Sequence, residues 1–175
     1  MSFWRTYYHI VWGTKNREPF ITQEIEAELY RYIVFKAHEI EIRIHALNGW
    51  TDHVHLVGSI PPKLSVADGV RRLKGASSNF MRTSHFQHQT FEWARGYGVF
   101  TLGESQREFA EAYVNQQKEH HAKQTTNQWL EYTQAADEGP PDDGLSSDEV
   151  FDQLKRSVRE DGPIYQITFD DPFPL

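Results

Sequence analysis

The spacing of apolar residues changes several times along the chain, and each change predicts an element. Residues 3–12, Phe3 to Trp12, are aromatic and β-branched and predict a strand. A basic loop, Gly13 to Pro19, follows. Thr22 is placed to cap a helix over about 22–39, with Ile25, Leu29, Tyr32, Ile33 and Lys36 at helical spacing. Residues 41–47 alternate and predict a second strand. Asn48-Gly49-Trp50-Thr51-Asp52 predicts a turn, and His53 to Ile60 a third strand forming a hairpin with the second. After Pro61-Pro62, Ser65 caps a helix of about 65–83 carrying Val66, Val70, Leu73 and Phe80. Residues 84–96 predict a loop rich in histidine, glutamine and aromatics, 97–102 a fourth strand, and 105–123 a third long helix. The order β-α-β-β-α-β-α predicts an α+β, ferredoxin-like antiparallel sheet covered by helices, with a further helix after the last strand.

The pattern breaks between 133 and 144, where Ala135 to Gly144 is linker-like. We expect a domain over 1–133 and an acidic extension over 134–175. The extension contains a short amphipathic helix opened by Ser146 and Glu149 and running to about Arg159. Charge divides at the same place. Of the 175 residues, the first 133 hold 15 Lys+Arg and 14 Asp+Glu; the remaining 42 hold 3 and 11. The net charge of -7 is therefore a near-neutral domain joined to a tail of about eight negative charges. There is no cysteine, so disulfides and thiolate metal sites are excluded. No apolar run approaches the ~20 residues of a membrane span, and the N-terminus lacks the layout of a signal peptide. A cytoplasmic protein is expected.

Three constellations carry candidate chemistry. His53 and His55 are two apart on a strand, so both imidazoles point to one face, where they can chelate one divalent ion. Left unliganded, the pair would be ordinary strand histidines. Tyr113, Gln117, His120 and His121 share one helix face. The bland reading of this face is a solvated stripe. The chemical reading is a phenol able to attack a phosphodiester, with Gln117 offering an oxygen to the same ion. Two nitrogens and an oxygen with open positions suit Mg²⁺ or Mn²⁺. The third set is Arg71, Arg72, Lys74 and Ser77 on the second helix, with Lys15 and Arg17 in the first loop, as phosphate contacts or simply a charged surface. Trp4, Trp12, Trp50 and Trp93 offer stacking surfaces for bases, although core packing accounts for most of them. His85 and His88 read as surface residues, and His9 and His45 as structural strand histidines.

Five segments in order then carry a resemblance: Tyr8-His9-Ile10-Val11-Trp12-Gly13-Thr14-Lys15, Asp52-His53-Val54-His55-Leu56-Val57, Leu73-Lys74-Gly75-Ala76-Ser77-Ser78, Trp93-Ala94-Arg95-Gly96-Tyr97-Gly98-Val99-Phe100 and Tyr113-Val114-Asn115-Gln116-Gln117-Lys118-Glu119-His120-His121. Together they resemble the single-tyrosine HUH transposases of small, IS200-like insertion sequences, over about residues 3–125. The resemblance implies His53, His55 and Gln117 as metal ligands and Tyr113 as a nucleophile forming a 5′-phosphotyrosine link. It implies single-stranded, hairpin-containing DNA as the partner, and a homodimer. Two features depart from the pattern: Gly13, where a basic residue is expected, and the acidic segment 134–175. The alternative expectation is a module of the same fold that binds hairpins without cutting, or a domesticated transposase with a regulatory role.

Overall fold

The computed structural model describes residues 3–84, 90–127, 130, 131 and 133. All belong to one compact unit, Met1–Pro140. His85, His88 and the predicted extension 134–175 with its helix lie outside the described residues.

The first aromatic run forms β1 (Tyr7–Gly13), and a short 3-10 turn at Lys15–Arg17 leads to α1 (Gln23–Glu39). The hairpin is β2 (Arg43–Gly49) and β3 (His53–Ser59). Then come α2 (Val66–Ser84), β4 (Gly98–Leu102), α3 (Glu104–Asn115) and α4 (Gln117–Lys123). The strands form one antiparallel sheet in the order β2-β3-β1-β4. The ferredoxin-like expectation is met.

Alternation along the two central strands divides the molecule into layers. Ile10 and Trp12 of β1, with Val54 and Leu56 of β3, face α1 and α2 and join Ile25, Leu29, Ile33, Val70, Leu73 and Met81 in the core. Burying each such Leu or Ile is worth about 1.5–3 kcal/mol. Trp12 and Trp93 meet edge to face inside this layer at 5.9 Å, so neither is free to stack on a base. The intervening residues, His9 and Val11 on β1 and His53, His55 and Val57 on β3, point to the other face. That face lies under α3, whose buried side presents Ala110, Tyr113 and Val114.

The predicted third helix is broken. Asn115 carbonyl accepts the Asn48 side-chain amide at 3.0 Å, and Glu119 N–H turns instead to Gln116 carbonyl at 2.9 Å. The external bond and the shortened Glu119 bond both fall at the junction that divides 104–123 into α3 and α4. The predicted turn 48–52 is also shorter, because Asn48 and Gly49 complete β2. A Cβ at Gly49 would stand 2.2 Å from His53 carbonyl, so only glycine permits this close return of the chain at the head of β3.

Candidate active site

Strand register builds the site. β1 and β3 pair His9 with Val57 and Val11 with His55, which makes His9 and His55 diagonal neighbours on one face. Their rings stack with centroids 5.1 Å apart, and His9 Nε2 lies 2.9 Å from His55 Nδ1. One imidazole must donate and the other accept, and this contact holds the His55 ring with its Nε2 turned away from His9. Asp52 does the same for His53, with Oδ1 2.6 Å from Nδ1. Both back-side nitrogens are thus committed, and both Nε2 atoms face the same space.

A carboxylate that the sequence reading assigned no role occupies that space. Glu131 Oε2 lies 2.9 Å from His53 Nε2 and 3.1 Å from His55 Nε2. Among the described residues, His53, His55 and Glu131 bring three donor atoms within 4.8 Å of one another. The other oxygen, Oε1, accepts the Tyr113 hydroxyl at 3.1 Å and stands 3.4 Å from Gln117 Nε2. Tyr113 also receives the Asn127 N–H at 3.1 Å. The helix break does not separate the predicted residues: Tyr113, Gln117 and His120 all stay buried, and the Tyr113 and His120 rings stack at 4.7 Å. His121 takes the other side, stacked on Trp50 with its Nε2 3.1 Å from His53 Nε2.

Burial and charge set the ionisation of the group. Burial works against the charged form of His53, but hydrogen bonds to Asp52 and Glu131 outweigh it and raise its pKa. Burial lowers His55 and His121, and lowers His9 well below the ordinary imidazole value. Glu131 is pulled below the carboxylate range because hydrogen bonds from His53 and His55 exceed the opposing effect of burial. Burial, followed by the Glu131 charge, raises Tyr113 above the ordinary phenol, so it rests protonated. At 1% exposure it is a buried tyrosine rather than a surface one.

The remaining predicted contacts are dispersed. Lys15 pairs with Glu92 at 2.8 Å and Arg17 with Asp52 at 3.4 Å. Arg71 is exposed and paired with Asp68, and Arg72 is exposed. Lys74 donates to the carbonyls of Arg95 and Gly96, and burial lowers its pKa to about 8. Ser77 is a correction. It is fully buried, donates to Leu73 carbonyl at 2.7 Å and accepts the Trp93 indole N–H at 2.9 Å, so its hydroxyl is not available to a phosphate. A groove beside α2 gathers Arg71, Lys74, Arg82 and Arg95 around Trp93 and Tyr97. His45 makes a structural contact with Ser59 Oγ at 2.8 Å. Among the described residues, no helix is long and apolar enough to cross a membrane.

The fold is that of the tyrosine transposases. A REP-associated tyrosine transposase solved with a REP hairpin superposes with a TM-score of 0.53 at 14% identity, covering 69% of this chain and 74% of that one. A crystal structure from Deinococcus radiodurans R1, described as a transposase, gives 0.54 at 26% identity over 67% of this chain and 95% of that one. The model of the family described as "Transposase IS200 like" matches residues 2–117, and the chain belongs to that family. It is 30% identical over 121 residues to the transposase for insertion sequence element IS200 of Salmonella typhimurium, covering 66% of this chain and 79% of that protein. It is 27% identical over 115 residues to the ISDra2 transposase TnpA of Deinococcus radiodurans, covering 63% of this chain and 82% of that protein.

Proposed function

We propose that the protein is an HUH-type endonuclease and strand transferase for single-stranded DNA, with Tyr113 as nucleophile and a divalent metal held by His53, His55 and Gln117. One observation carries this reading: the Tyr113 hydroxyl and both imidazole Nε2 atoms meet within 3.1 Å of a single carboxylate. Phenol and chelating pair therefore address the same few ångströms. The donor set fits a cation. Asp52 and His9 hold the back-side nitrogens, and Gln117, 0% exposed, has a buried Oε1 with no hydrogen-bond partner. Imidazole and oxygen donors without thiolate suit Mg²⁺ or Mn²⁺. When bound, the metal would polarise the scissile phosphate and stabilise the charge that develops there.

The chain's own residues do the rest. Tyr113 Oη gives up its proton and bonds to phosphorus. The bond from phosphorus to the 3′-oxygen breaks, and that oxygen leaves with the electron pair and takes up a proton. A 5′-phosphotyrosine and a 3′-hydroxyl result. Attack by a second strand's 3′-hydroxyl reverses the exchange with no other energy source, because the phosphotyrosine retains the ester bond. Glu131 and the Asn127 N–H enclose the Tyr113 hydroxyl, so the Asn127 contact must open before a phosphodiester can reach it. The groove of Arg71, Lys74, Arg82 and Arg95, with Arg72, Lys15 and Arg17, is the proposed path of the DNA backbone. A hairpin-containing strand is the proposed partner, as in the REP-hairpin complex of the structural relative. A cytoplasmic homodimer is the proposed working form.

The enclosure of Tyr113 also supports a second reading, a protein that holds hairpins without cutting them. A denaturing gel separates the two. End-labelled hairpin DNA from the sequence flanking the gene, with Mg²⁺ or Mn²⁺, should give a metal-dependent covalent protein–DNA band. Tyr113→Phe should abolish the band and retain binding. Tight binding with no band in the unaltered protein would favour the non-cutting reading.

A further inference from the structure

We propose that Glu131 is a ligand of the same metal, the only anionic one among the described residues, and that it also holds the nucleophile, so that one carboxylate ties the ion to Tyr113. The inference rests on the reading of His53 and His55 as metal ligands and extends it. The family match ends at residue 117, and Glu131 lies fourteen residues beyond it. The ligand thus lies outside the residues that the family model matches.

The distances suit ligation. Two adjacent ligands of an octahedral ion, each bonded at ~2.1 Å, stand ~3.0 Å apart. Glu131 Oε2 is 2.9 Å from one Nε2 and 3.1 Å from the other. The chemistry also requires something between these atoms. Asp52 accepts the Nδ1–H of His53 at 2.6 Å, so the Nε2 of the neutral ring carries a lone pair pointing at a carboxylate. Lone pair and anion repel unless a cation lies between them: a proton in the metal-free protein, the metal in the loaded one.

Charge gives the third argument. Two imidazoles and an amide carry no charge, and a divalent ion drawn into a buried site needs an anion to offset its desolvation. Asp52 stands behind the His53 ring, so Glu131 is the carboxylate that faces both Nε2 atoms. Nor is its position that of a loose surface side chain. The Glu131 and Leu130 N–H groups both bond to Asn127 carbonyl, at 3.1 and 3.0 Å, and Leu130 is buried. These bonds anchor Glu131 with Oε2 on the imidazoles while Oε1 accepts the Tyr113 hydroxyl.

The test is calorimetric titration of Mn²⁺ into the DNA-free, EDTA-stripped full chain. Glu131→Gln keeps the shape and removes the charge, and should weaken Mn²⁺ binding tenfold to a hundredfold. Glu119→Gln, which removes an exposed carboxylate that faces Lys123 and not the imidazoles, should stay within about twofold of the unaltered protein. Thermal melts in EDTA check that the variants fold; if Glu131→Gln melts early, Glu131→Ala takes its place under the same expectation. Unchanged Mn²⁺ affinity in the folded variant overturns the role of Glu131 and leaves the His53–His55 metal site standing. An unaltered protein that takes up no Mn²⁺ overturns both.

Discussion

His53 shows how much of the site depends on which nitrogen of one ring is free. Its Nδ1 is committed to Asp52, its Nε2 faces Glu131, and its pKa is raised above the ordinary 6.5. Two opposite pH dependences follow. In the metal-free protein the charged ring is favoured by folding. Its contribution to stability is fully present below the unfolded pKa and is lost as pH rises through the raised folded value. Metal binding needs the deprotonated ring, so Mn²⁺ affinity should fall as pH is lowered through that same raised value, beginning above 6.5. Titrations at pH 8 and pH 6 should show the decline, and affinity independent of pH across this interval would contradict it. The His pair was legible in the sequence because a strand has a period of two, and Tyr113 with Gln117 because a helix turns in 3.6 residues. His9 and Glu131 were not. His9 acts through a diagonal contact set by strand register, and Glu131 meets a histidine 76 residues upstream. Local periodicity carries no information about either contact.

At the scale of elements, the sequence indicated every strand and the first two helices within a few residues. Its two failures meet at one residue. Asn48 stands at both the helix break at Gln116 and the lengthening of β2 through Gly49: it bonds Asn115 carbonyl at the end of α3 and accepts the Gly49 N–H at 2.9 Å. Propensity places Asn-Gly in a turn; here the pair completes a strand and ties it to the tyrosine helix. Gly49 lets the chain turn back on the head of β3, where His53 begins. Gly49→Ala should therefore cost about 1–3 kcal/mol of stability by forcing the hairpin apart. Because the clash falls on His53 carbonyl, it should also weaken Mn²⁺ binding. Urea melts and calorimetry check the two effects; loss of neither would show that the hairpin yields at no cost.

Across the described residues, layer order puts the histidine cluster and the main apolar core on opposite faces of one sheet. α1 and α2 seal the apolar face, while the polar face under α3 keeps its histidines. The family and its fold were legible from five motifs in order. The acidic segment 134–175 was legible only as charge: its removal would take the formal net charge from -7 to about +1. If that charge competes with DNA for the basic groove, deleting 134–175 should raise hairpin affinity on the order of tenfold at low salt, with the gain vanishing at high salt. Unchanged affinity and salt slope would remove the segment from any account of DNA binding. The central claim, that Tyr113 forms the covalent link, is tested most directly by mass spectrometry of the protein–DNA adduct after nuclease and protease digestion. The account predicts a nucleotide phosphate on the peptide containing Tyr113, appearing only with metal. The same mass on another residue, or no added mass after incubation with a tightly bound hairpin, would contradict it.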